Sequence, residues 1–307
     1  MPEQAGSAVG FVGLGRMGDP MVRRLAAAGV VVRAHDVAAA PRKALADVVT
    51  VVDKPAEVVP DVGGDLSVVV LMLPDSKVVE AVLTDGLLDA LVPGTLLVDM
   101  GSSEPLRTRA LAERVAARGA TMIDAPVSGG VSGATAGTLT IMVGGPDDEV
   151  AALTPLLAVL GRPRHVGPVG AGHALKALNN LMSAAHLLAS SEALLAGERF
   201  GLDPSVMLEA VNGSSGRSGS TENKWPTFVL PETYDSGFAL ALMVKDIRIA
   251  LGLAEATGAP TAHMARTVEL WAEAAGALGP DADHTEIVRW LRAGESTDRD
   301  PEGNRRR

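Results

Sequence analysis

A chain of 307 residues is long for one compact core and points to two domains, while a net charge of −10 and an aromatic content of 3% leave neither a basic field nor a stacking surface for nucleic acid. The absence of cysteine removes disulfides, thiolate catalysis and cysteine-based zinc sites, and the six histidines lack metal-ligand spacing, so no metal is expected. The opening MPEQAGSAVG has no basic-then-apolar signal pattern, and the most apolar long stretch, Ala174 to Gly197, is broken by Lys176, Asn179, Asn180, His186 and Glu192; the expectation is a cytoplasmic protein without a membrane span.

From Val9 to Val166, runs of Val, Leu and Ile alternate with amphipathic helical patterns. Strands are expected near Val9–Val12, Val30–Ala34, Leu66–Leu71, Thr95–Val98, Thr121–Ile123, Thr140–Val143 and Arg164–Val166, with a helix from Met17 to Ala28. Continuous apolar runs such as LSVVVLML fit strands buried on both faces, and the alternation of β and α predicts an α/β fold: an N-terminal Rossmann-type doubly wound sheet over residues 1–168. After GPVGAG (Gly167–Gly172) the pattern turns helical, predicting an all-α domain over 169–295. It begins with a long helix, apolar almost all round, suited to a place between domains or subunits. Asp203 and Pro204 read as N-cap and first residue of the next helix, the polar stretch Asn212–Ser220 reads as a mobile loop, and further helices are expected at Leu240–Thr257, Thr261–Gly276 and Thr285–Ala293. Residues 296–307 read as a disordered tail, and there is no internal repeat.

Four segments carry chemistry. In VGFVGLGRMG the loop Gly13-Leu14-Gly15-Arg16-Met17-Gly18 has GxGxxG spacing between a strand and a helix, where glycines permit a tight turn and close approach of a pyrophosphate to a helix N-terminus. Asp36 ends the second strand, placed to accept hydrogen bonds from ribose hydroxyls and to repel a 2′-phosphate; this favours NAD, with NADP possible because Arg33 and Arg42 lie near. In DAPVSGGVSGATAGTLTIMVGG, the residues Ser128, Gly129 and Gly130 offer a hydroxyl and successive backbone N–H groups suited to a carboxylate, although such a turn can also serve only to redirect the chain. In GHALKALNN, Lys176 and Asn180 share a helix face; Lys176 suits proton transfer if burial lowers its pKa, or is a snorkelling lysine at a helix end. In FALALMVKDIRIAL, Lys245 and Asp246 break an apolar helix and read as a salt bridge. The histidines read as packing or surface groups, and there is no GxSxG elbow.

Taken in order, these segments resemble the β-hydroxyacid dehydrogenase family of 3-hydroxyisobutyrate dehydrogenases and tartronate semialdehyde reductases, over Val9 to Ala293, with DAPVSGGVSGATAGTL the most specific element. The resemblance implies that Lys176 is the catalytic acid/base assisted by Asn180, that Ser128, Gly129 and Gly130 hold the substrate carboxylate, and that Leu73, Pro74 and Lys245 contact the cofactor. It also implies reversible hydride transfer between a nicotinamide and a small β-hydroxyacid or its semialdehyde, in a cleft between domains, by a homodimer or homotetramer. In DMGSSEP, Ser102 takes the family's place near the nicotinamide, while Gly101 stands where the family carries a serine. Two alternatives remain open: reduction of an imine or neutral carbonyl on the same architecture, and a dinucleotide-binding regulator without turnover.

Overall fold

Side-chain alternation divides the first half of the chain into two faces of one sheet. In the computed structural model, which describes residues 8–60, 67–279 and 281–297, the strands are β1 (Ala8–Val12), β2 (Val31–His35), β3 (Thr50–Val51), β4 (Val68–Leu71), β5 (Leu96–Asp99), β6 (Thr121–Asp124), β7 (Val127–Ser128), β8 (Leu139–Gly144) and β9 (Gly161–Gly167). Val9, Phe11, Val68, Val70, Leu96 and Val98 pack into one core, whereas Val12, Val69, Leu71 and Leu97 pack into the other. Successive residues of each strand therefore serve opposite cores, as the period of two requires. Helices α1 (Gly18–Ala27), α2 (Ala39–Leu45), α3 (Ser76–Val82), α4 (Leu88–Ala90), α5 (Pro105–Ala116), α6 (Gly130–Ala136) and α7 (Asp147–Leu160) provide the connections.

The strand order is β3-β2-β1-β4-β5-β6-β8-β7, with β9 on β8. Pairing is parallel from β3 through β6, and the order reverses between β1 and β4, leaving a crevice at the carboxyl ends of these two strands. Strand β8 runs antiparallel to β6 and β7, and β9 pairs parallel with β8. The short strands β3 and β7 were not expected, because two residues cannot display a period. The expected start at Leu66 lies outside the described residues.

The chain divides into two compact units between Lys176 and Ala177, further along than the boundary at 168/169 read from the sequence. The reason is local: β9 ends at Gly167, and the first turns of α8 (Ala171–Phe200) are hydrogen-bonded back to the sheet, as described below. The second unit is helical. Asp203 caps α9 (Pro204–Asn212) through the Ser205 and Val206 amides, and a π-type helix (Ser220–Val229) precedes α10 (Leu240–Thr257), α11 (Ala262–Leu278) and α12 (Ile287–Thr297). The stretch Asn212–Ser220 is closed by turns, with Asn212 Nδ2 donating to the Thr221 carbonyl at 3.1 Å. The core of this unit gathers Ala184, Leu187, Trp225, Ile247 and Trp271, all fully buried. On α8, Leu175, Met182 and Phe200 remain exposed, so its apolar surface is only partly covered within one chain. Helix α12 extends past Ala293 to Thr297, and the rest of the expected tail is outside the described residues, as are residues 1–7 of the amino terminus.

Asp283 fixes the entry to α10. Its carboxylate accepts from Ser236 Oγ at 2.8 Å, the Gly237 amide at 2.9 Å, and Thr285 N and Oγ1 at 2.9 and 2.7 Å. Burial raises its pKa, but hydrogen bonds from His284, Thr285 and Ser236 outweigh burial and hold the carboxyl well below its ordinary range. A folded pKa below the unfolded one stabilises above about pH 4, and that contribution is lost as pH falls toward the folded value. Replacing Asp283 by Asn is expected to cost about 1–3 kcal/mol in urea unfolding at neutral pH. The gap from wild type should close as pH is lowered from about 5 toward about 2.

Candidate active site

The loop after β1 is shaped by backbone contact. Gly13 has φ 101° and donates its amide to the His35 carbonyl at 2.9 Å; a Cβ here would stand 2.3 Å from the Met72 carbonyl. Gly18, opening α1, lies equally close against the Gly13 carbonyl. Gly15 differs: it is exposed, with nothing within 4 Å of a Cβ position, which leaves room for a pyrophosphate at the start of α1. Leu14 is buried, Arg16 exposed and Met17 half-buried against the core. The residues present thus fit a dinucleotide.

Met72 N donates to the Val12 carbonyl at 2.8 Å, so Leu73 and Pro74, after β4, lie beside the glycine loop at the crevice. Asp36 follows β2 and is oriented by two amides, Leu14 N to Oδ2 at 2.7 Å and Ala38 N to Oδ1 at 2.8 Å. The carboxylate is held against the glycine loop while lone pairs remain for ribose hydroxyls. Arg42 pairs with Asp53 at 3.1 Å, and Arg33 donates to the Val59 carbonyl at 3.4 Å.

The loop after β5 is organised by Asp99, fully buried, whose two oxygens accept from Gly101 N at 2.9 Å and Ser103 Oγ at 2.6 Å. Ser102, half-buried, sits between these anchors. Gly101 lies against the Leu73 carbonyl, which a Cβ would approach to 2.4 Å; that contact accounts for the glycine at this point in the loop.

Ser128 ends β7. Gly129 and Gly130 follow with φ 129° and 63°, both exposed, and Gly130 has open space around its Cβ position. Both backbone angles lie in the range that favours glycine, and the pair opens α6.

Buried carboxylates also secure the start of α8. Asp124, at the end of β6, accepts from Gly170 N at 2.6 Å and His173 N at 2.7 Å. Burial raises its pKa; the His173 ring and these two amides oppose that rise without cancelling it. Lys176, half-buried, lies one turn beyond His173, and Asn180 one turn beyond Lys176 on the same face.

In the helical unit, Asn180 Nδ2 donates to Asp246 Oδ2 at 2.6 Å, while its Oδ1 accepts from Asn179 at 3.2 Å. Lys245 Nζ is 3.1 Å from Asp246 Oδ1, so the expected salt bridge also belongs to the group that orients Asn180. Lys224 donates to Ser183 Oγ at 2.7 Å; burial lowers its pKa to about 8, partly opposed by Asp283.

Sequence reasoning named Asp246 only as half of a salt bridge, and it gave no role to Asp99, Asp124 or His173. The signal for Asp246 is its adjacency to Lys245. The other three come together from segments far apart in the chain, a proximity no local pattern displays.

A glycine loop at a strand-order reversal in a parallel sheet is the architecture of a dinucleotide-binding unit, here followed by a helical unit. Residues 8–170 match the NAD-binding domain of 6-phosphogluconate dehydrogenase, and residues 170–291 match the NAD-binding domain of NADP-dependent 3-hydroxyisobutyrate dehydrogenase. The chain is 38% identical to 2-(hydroxymethyl)glutarate dehydrogenase of Eubacterium barkeri, over 88% of this chain and 90% of that protein. It is also 38% identical to human mitochondrial 3-hydroxyisobutyrate dehydrogenase, over 82% and 77% respectively. A solved Mycobacterium tuberculosis 3-hydroxyisobutyrate dehydrogenase with L-serine superposes with TM-score 0.87 at 33% identity, covering 93% of this chain and 99% of that one. The chain belongs to the β-hydroxyacid dehydrogenase family. It is an oxidoreductase that uses NAD or NADP and acts on the CH–OH group of a hydroxyacid. Among the described residues, no helix is long and apolar enough to cross a membrane.

Proposed function

We propose that this enzyme reversibly oxidises a 3-hydroxyacid of the form HOCH2–CHX–COO⁻ to its semialdehyde, with NAD preferred and Lys176 as the proton acceptor. The observation that carries the reading is the pairing of Lys176 and Asn180 one turn apart on α8, with the Asn180 amide oriented by Asp246 at 2.6 Å. The substrate class has a second support. Hydroxymethylglutarate and hydroxyisobutyrate, named for two relatives, and the L-serine of the solved structure share that fragment and differ only in X.

The nicotinamide, when bound, supplies the hydride acceptor. Ser128 Oγ and the amides of Gly129 and Gly130 hold the carboxylate, which orients the carbinol carbon. The Lys176 amine takes the hydroxyl proton as the carbonyl forms and returns it in the reverse direction. Asn180 gives one Nδ2 hydrogen to Asp246 and keeps the other for the reacting oxygen.

Replacing Lys176 by Ala is expected to lower kcat by about 10²- to 10⁴-fold while NAD affinity and melting temperature stay near wild type. Initial rates with a panel of such acids and their methyl esters complete the test. Activity confined to the free acids supports the reading; equal activity on esters favours reduction of a neutral carbonyl or imine, and no turnover on any favours a binding protein.

Asp36 is proposed to set the cofactor preference, since its carboxylate stands where a 2′-phosphate would meet a like charge. Asp36→Asn removes the charge and keeps one side-chain oxygen, which can accept from only one of the two amides, Leu14 N or Ala38 N, that the carboxylate serves. The expected result is a narrowed NAD-to-NADP ratio of kcat/KM. An unchanged ratio removes Asp36 from cofactor selection.

A homodimer or homotetramer is part of the proposal, because Leu175, Met182 and Phe200 of α8 are 38%, 51% and 85% exposed in the single chain. Light scattering at micromolar concentration should report a multiple of the chain mass, and a monomer rejects it. A cytoplasmic site of action fits a cysteine-free chain.

A further inference from the structure

We propose that His173 is a positioning residue for the reaction, a buried connector that keeps the first turn of α8, and with it Lys176, in register with the loop that carries Ser102. This rests on the reading of Lys176 as the base.

The ring touches both sides of that register. Its side chain is fully buried, and Nδ1 is 2.8 Å from Thr108 Oγ1. Thr108 Oγ1 also lies 3.1 Å from the Glu104 carbonyl, so the ring is tied to the first turn of α5. Nε2 is turned toward Asp99 Oδ2, 3.7 Å away, on the same oxygen that accepts from Ser103. The backbone of the same histidine donates to Asp124, which also holds Gly170. One residue therefore stands between the carboxylate that anchors both neighbours of Ser102 and the carboxylate that anchors the start of α8. Lys176 follows at i+3, so a shift of this turn carries it along.

Stability alone does not explain a histidine here. Among the described residues Nε2 has no hydrogen-bond partner, and a buried polar atom left unmatched is a net cost to folding. An apolar side chain of similar size would fill the space without that cost. What the ring adds is a fixed separation between two segments, and a misplacement of about 1 Å costs catalysis on the order of 10²-fold.

The test compares His173→Ala, His173→Gln and Thr108→Val with the full-length wild type, at a temperature where each is folded by circular dichroism. In His173→Ala, kcat should fall about 10- to 100-fold while KM for NAD stays within about twofold. Gln, whose amide reaches toward Asp99, should recover most of the loss. Hydrogen exchange of the 170–176 peptide in the cofactor-free protein should quicken with Ala and return with Gln. If the Ala variant does not fold, Thr108→Val, which removes the Nδ1 partner, is expected to show the same kcat-against-KM split. Wild-type kcat in the folded variants, or a loss that Gln does not recover, overturns the proposal. Lys176→Ala measured alongside separates the two ideas: if it stays active the base assignment fails, whereas if it is inactive and the His173 variants are unimpaired, only this inference fails.

Discussion

Two amides at the start of α8 donate to one buried carboxylate, and what the site needs from that helix depends on this attachment. Taking Asp124 out of water costs several kcal/mol unless its oxygens are matched, and Gly170 N and His173 N match both at 2.6 and 2.7 Å. The donors are orphan groups of a helix N-terminus, which need acceptors in any case. Sheet and helix thus satisfy one another's polar groups, and the direction of α8 is set where it leaves β9. Lys176 follows one turn after the His173 amide that is bonded to Asp124, and it is the last residue of the compact first unit.

A comparable chain of constraint runs through the helical unit. Asp283 holds Ser236 and Gly237, and Leu240 N donates to the Ala282 carbonyl at 2.8 Å, so the first residue of α10 is fixed before the helix begins. Asp246 then falls two turns into α10, 2% exposed, with one oxygen on Asn180. The Asp283 bonds thus hold the segment that leads into the helix from which Asp246 reaches Asn180. Pre-organisation of this kind is enthalpically modest at each bond, yet it removes alternative orientations of the reacting groups.

Much of this was legible from residue order. The strands of the parallel region are visible because both faces are buried and their runs are continuously apolar, and the glycine loop because each glycine has a separate steric task. The antiparallel turn of the sheet at β8 was hidden, since antiparallel and parallel pairing of a buried strand draw on the same residues. Gly101 was visible as a departure, but its cause, the Leu73 carbonyl, comes from another strand end. Asp99, Asp124 and His173 were silent for the same reason: a buried polar group announces itself only through its partners. The boundary after residue 168 follows a change of pattern, whereas the amide of His173, beyond it, is bonded back to Asp124 of β6.

The division of labour among these residues also bears on selectivity. On the proposed reading, a carboxylate seat at Ser128–Gly130 and the Lys176 base would grip the fragment HOCH2–C–COO⁻, so binding energy from these groups would be the same whatever X is. Discrimination then has to come from contacts with X, and the chemistry of X sets its size. A methyl group against a hydrogen is worth about 1–3 kcal/mol in an apolar site, a factor of roughly 10 to 200. An ammonium or a second carboxylate is a larger matter, because an apolar wall leaves the charge unpaired and a polar wall is left unpaired by the methyl. On that reading, one reaction centre would serve neutral and charged acids through changes in side chains that never touch the reacting carbon, provided the Asp124 bond to the start of α8 and the Asp246 bond to Asn180 are left in place.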